Sequence, residues 1–178
     1  MIALNHAHFI CGQAGVVAYS EGAPGSAKTA SHRSLAIATK RRFQQYRLDE
    51  LIPEDIGGYP VRDELEFAGK KYPVMRRLPD ERLLRCLLEP SVVLIDELPN
   101  VGGSMQAAAL QLINDGVGEY LAQLTGDPSL YSKDRTWIFA AGNPIEQAAA
   151  GNPLTPPLVN RMWMGKWQTD VETWHAGM

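Results

Sequence analysis

"EGAPGSAKTA", residues 21–30, decides how this chain is read. It follows Gly15-Val16-Val17-Ala18-Tyr19-Ser20, a short apolar run that predicts a buried strand. It precedes an alanine-rich stretch with few breakers, Lys28 to about Arg42, which predicts a helix with a basic last turn. Gly22, Lys28 and Thr29 stand at their places in the pattern Gly-x4-Gly-Lys-Ser/Thr. A strand–loop–helix unit of small residues turns successive backbone N–H groups toward a polyphosphate at a helix N-terminus. In that reading Gly22, Ala23, Pro24, Gly25, Ser26 and Ala27 form the cradle. Lys28 reaches the β and γ phosphates, and the Thr29 hydroxyl is offered to Mg2+. Ala27 stands where the second glycine is usual. It is tolerable there if the position has helical dihedrals and damaging if it needs positive φ. The alternative is a plain small-residue turn before a helix.

Two further apolar runs end in chemically useful residues. "SVVLIDEL" predicts a buried parallel strand closed by Asp96 and Glu97. Paired carboxylates after four apolar residues are costly to bury without a cation. With a magnesium triphosphate nearby, Asp96 would bind the metal and Glu97 would deprotonate the attacking water. Otherwise they are an exposed strand end. "TWIFAAGNP" predicts a second buried strand ending at Asn143, either a side chain that holds the water or reads the γ-phosphate, or a turn former before Pro144. Arg161 lies between a Pro-Pro-initiated helix and a last strand in "PPLVNRMWMGKW". It is either a charge for a neighbouring subunit's γ-phosphate or a surface ion-pair residue.

Between these ends, 43–48 reads as a second strand, and 64–75 as a hairpin turning at Ala68-Gly69-Lys70. Residues 83–89 read as a short helix, and a helix capped by Ser104 is closed by Gly116. Strands alternating with helices indicate an α/β fold, three layers with a mainly parallel sheet. Ligands of such sheets bind beyond the carboxyl ends of the strands, so neighbouring strands would gather Lys28, Asp96, Glu97 and Asn143.

Composition sets the class. The 178 residues are 45% hydrophobic and 21% charged, the range of a globular domain. A net charge of −3 points away from nucleic acid and from anionic membranes as partners. Cys11 and Cys86 read as separate reduced thiols. No signal-peptide pattern opens the chain, and its apolar runs are too short to cross a bilayer, so the cytoplasm is the expected location. His6 and His8 read as surface histidines.

Taken in order, "GAPGSAKT", "VVLIDE", "FAAGNP" and "LVNRMW" resemble the Walker A, Walker B, sensor 1 and arginine-finger segments of AAA+ ATPases. "PEDIGGYPV" and "AGNPIEQAAAGNPLTPPLVNR" resemble the MoxR-like, dynein-related group in particular. The resemblance implies a P-loop NTPase core of five parallel strands over 1–168 that uses ATP and Mg2+. It also implies a homo-oligomer, a hexameric ring that remodels a partner, often one with a von Willebrand A domain. By the same resemblance, Glu119 and Tyr120 would belong to a hairpin facing the ring or its partner, and Gln44 or Gln45 would be a polar contact to Glu97. The family's helical lid would follow the last strand, and 169–178 reads as its first turn. Two other readings stand beside this one: a nucleotide-binding assembly module with little hydrolysis, and a GTP-using relative of DNA-restriction motors.

Overall fold

The computed structural model describes residues 2–148 and 150–167. The expected first turn of a lid, 169–178, lies outside the described residues. Five strands form one parallel sheet: β1 (Val17–Glu21), β2 (Arg42–Arg47), β5 (Ser91–Asp96), β6 (Thr136–Gly142) and β7 (Met162–Lys166), ordered β2-β5-β6-β1-β7. Every residue of β5 is buried, as a strand covered on both faces must be. Its side chains alternate between two cores. Val92 and Leu94 join Ala18, Leu35, Trp137 and Phe139 on the face covered by α1 (Ile2–Ala14) and α2 (Lys28–Ala38). Val93 and Ile95 join Tyr19, Tyr46, Leu112 and Ile138 beneath α3 (Pro53–Gly57), α4 (Glu81–Cys86), α5 (Gly103–Thr125) and α6 (Pro156–Val159). This is the three-layer α/β/α architecture expected from the alternation of strands and helices. Among the described residues, no helix is long and apolar enough to cross a membrane.

Several local expectations are corrected. The segment carrying His6 and His8 is a helix, closed by Gly15 at positive φ, with Val16 N–H donating to the Cys11 carbonyl. Helical periodicity turns His8 inward, where it is 1% exposed and its Nε2 lies 2.7 Å from Ser20 Oγ. Ser104 does not cap α5. Gly102 holds the extended cap position, and Gly103 and Ser104 are already in the exposed first turn.

Gly116, non-helical at φ 76° and ψ 168°, closes the first part of α5 as expected, but a second helical part follows directly across the kink. Val117, Tyr120, Leu121 and Leu124 recur at helical spacing and restart the helix, which stops at Gly126. Tyr120 is therefore no hairpin residue. It is buried and its hydroxyl donates to the Ile56 carbonyl at 2.8 Å. The hairpin formed by β3 (Tyr59–Phe67) and β4 (Lys70–Leu78) is longer than 64–75. Gly57 and Gly58 made its first residues look like a turn. Ala68 and Gly69, both at positive φ, close it in two residues.

Candidate functional site

β5, β6 and β1 are neighbours, so their carboxyl ends open on one cavity of about 350 Å3, lined by Pro24 to Ala30, Asp96, Glu97 and Asn143. Its lining includes one lysine and two carboxylates. Lys28, the first residue of α2, is buried, with Nζ donating to Asn143 Oδ1 at 3.0 Å and to the Gly22 and Ala23 carbonyls at 2.7 and 3.0 Å. Asn143 Nδ2 in turn donates to Glu97 Oε2 at 3.2 Å. Thr29 Oγ1 donates to Asp96 Oδ2 at 2.9 Å. One continuous web thus joins the loop, both acids and Asn143.

The electrostatics follow from this crowding. Burial, the neighbouring Asp96 charge and then Asp49 push the Glu97 carboxyl above its ordinary value, with Lys28 and Arg47 opposing. Burial lowers the Lys28 ammonium, and Asp96 and Glu97 counter it. A raised carboxyl binds protons more tightly in the folded chain than in the unfolded one. Ionised Glu97 therefore costs stability above its folded pKa, and the cost vanishes below the ordinary value, where both states are protonated. Glu97→Gln is expected to melt at a higher temperature than the wild type at pH 7. The gap should close as pH falls toward 4, and thermal unfolding across that range measures it. A gap that widens on acidification would reverse the assignment.

Ala27 settles its own question by geometry. It caps α2 with φ 62° and ψ 23°, the left-handed region that glycine enters freely and alanine does not. Ala27→Gly should accordingly stabilise the fold by about 1 kcal/mol, the scale of that strain. Denaturant unfolding reads the gain, and a loss of stability would contradict it. Glu97 shares this conformation, at φ 62° and ψ 33°. Strain at such positions persists only where the surroundings enforce it.

Arg161 is not part of the cluster. Exposed, it precedes Met162, which pairs with Val17 at the start of β1. At about 3.3 Å per residue it sits roughly 16 Å of strand away from the carboxyl end of β7. Gln45 contacts Asp96 rather than Glu97, with Nε2 donating to Oδ2 at 2.8 Å. Asn100 was not foreseen. Its Nδ2 donates to Glu97 Oε2 at 2.7 Å from the 3-10 turn that follows the acid. Its sequence signal is an amide three residues after the acid. The arrangement suits a magnesium polyphosphate. The loop offers a lysine and small residues, and the Thr29 and Asp96 oxygens lie within hydrogen-bond distance of each other beside it, a hard-oxygen donor set.

The AAA domain model of the dynein-related subfamily matches residues 21–162. The chain belongs to that family. It carries an AAA-type ATPase domain, and nucleotide binding goes with it. Among solved structures, one described as "Structural Basis for Katanin Self-Assembly" is similar at 15% identity with a TM-score of 0.46, covering 85% of this chain and 40% of that one. The chain thus spans well under half the length of that structure. No curated protein matches.

Proposed function

We propose that this AAA domain binds ATP with magnesium in the cavity at the ends of β1, β5 and β6 and hydrolyses it. The observation that carries the reading is the single web from Lys28 through Asn143 to Glu97, with Thr29 on Asp96 beside it. The loop N–H groups of Gly25, Ala27 and Lys28 would face the phosphates, with Lys28 exchanging loop carbonyls for phosphate oxygens. Thr29 and Asp96 would hold Mg2+, which neutralises charge on the β and γ phosphates. Glu97 is the general base. Asn143 orients Glu97 and the water, and Asn100 fixes the same carboxylate oxygen.

The finer reading is a MoxR-like remodelling ATPase working as a ring, with 1–168 as its core and 169–178 opening a lid. Arg161, far from its own pocket, would serve a neighbouring subunit. The hairpin supports a partner-contact role: Leu65, Phe67 and Tyr72 share one face and are exposed there. That partner would be a protein, one with a von Willebrand A domain in this reading.

The test is nucleotide titration and phosphate release at high protein concentration. The wild type should bind ATP tightly only with magnesium and release phosphate. Lys28→Met should weaken binding ten-fold or more, a loss of about 1.4 kcal/mol at least. Equal affinity in the variant, or binding indifferent to chelation, would defeat the reading. GTP binding in preference to ATP would favour the restriction-motor relative.

A further inference from the structure

We propose that Trp167 is a positioning residue that holds the phosphate loop in its strained, ligand-facing form. This rests on the nucleotide reading above and extends it to a residue outside the cavity. Trp167 follows β7, and three contacts tie it to the loop. Its indole Nε1 donates to the Ser26 carbonyl at 2.7 Å. Its backbone N–H donates to the Glu21 carbonyl. Gly22 packs so closely against it that a Cβ there would fall 2.8 Å from both the Trp167 Cβ and its carbonyl oxygen. The indole is itself fixed. His32 stacks on it at 6.3 Å and 28°, and His8 meets it at 6.0 Å and 67°. His32 Nδ1 bonds the Lys28 carbonyl at 2.8 Å from the same side.

The consequence lies in the peptide between Ser26 and Ala27. In a trans peptide the C=O and N–H point in opposite directions. Turning the Ser26 carbonyl toward the indole therefore turns the Ala27 N–H away from it, on the side of the cavity that both residues line. The same peptide orientation accompanies the left-handed backbone of Ala27, which a non-glycine residue leaves when nothing holds it. Trp167 thus supplies from the sheet edge what the missing glycine would have supplied within the loop.

Trp167→Phe removes the donor and keeps an aromatic ring against His32 and His8. Titration calorimetry with ADP and magnesium should show about ten-fold weaker binding, with kcat for ATP at saturation little changed. Ala27→Gly placed on Trp167→Phe should restore most of the affinity, because glycine adopts the left-handed conformation unaided. On the wild type, Ala27→Gly should change affinity far less. Should Trp167→Phe prove unstable, Trp167→Met, which also lacks the ring N–H, gives the same comparison with and without Ala27→Gly. Unchanged affinity in Trp167→Phe, or equal effects of Ala27→Gly in both backgrounds, overturns the positioning role. Failure of the wild type to bind ADP would instead overturn the nucleotide site itself.

Discussion

Glu97→Gln is expected to keep nucleotide bound while lowering turnover by about 10² to 10⁴, the contribution of a well-placed general base. The amide keeps the size of the carboxylate and an acceptor for Asn100 and Asn143, so the web around it survives. What it loses is basicity. Both asparagine donors fall on Oε2, which leaves Oε1 for the attacking water. Burial and the Asp96 charge raise the Glu97 carboxyl, making its carboxylate a stronger base than one in water. Single-turnover phosphate release with parallel ATP titration separates the two effects. Full turnover in the variant would assign the base elsewhere, and lost binding would make Glu97 a ligand-holding residue instead.

Gly142→Ala should be the most damaging of the small substitutions, by about 3 kcal/mol, the upper part of the usual range for overpacking. The added Cβ would collide with Pro99 Cδ and sit 2.6 Å from the Tyr19 hydroxyl. None of these atoms belongs to the tip of a flexible chain. Pro99 is held in the turn after Glu97, and Tyr19 is in the core. A melting temperature lower by roughly 6–12 °C follows for a domain of this size. The Gly142 carbonyl accepts from Gly22 N–H, and Asn143 is the next residue, so nucleotide affinity should fall with stability. Gly103→Ala is the control: nothing lies within 4 Å of its added Cβ, and alanine favours the helix. If both variants melt alike, the close packing at Gly142 is not what holds the turn.

The core was legible because it rests on local signals. Val92 to Ile95 is a continuous apolar run, and a fully buried parallel strand requires one. Three such runs end in Gly22, Asp96 and Asn143, and adjacent parallel strands bring such ends to one cavity. What escaped depends on contacts between distant residues. The left-handed turn at Ala27 is enforced in part by Trp167, which is far away in sequence. The burial of His8 required knowing that its segment coils and lies against Ser20. Gly116 carried the signature of a stop, yet the apolar spacing beyond it let the helix resume.

The lining of the cavity carries two carboxylates and a single lysine. A triphosphate approaching by itself would meet a wall of its own sign, and at close range in a partly dry pocket that repulsion is weakly screened. In the proposed reading the divalent ion would be a condition of entry as much as an aid to the reaction, and the two should arrive together or not at all.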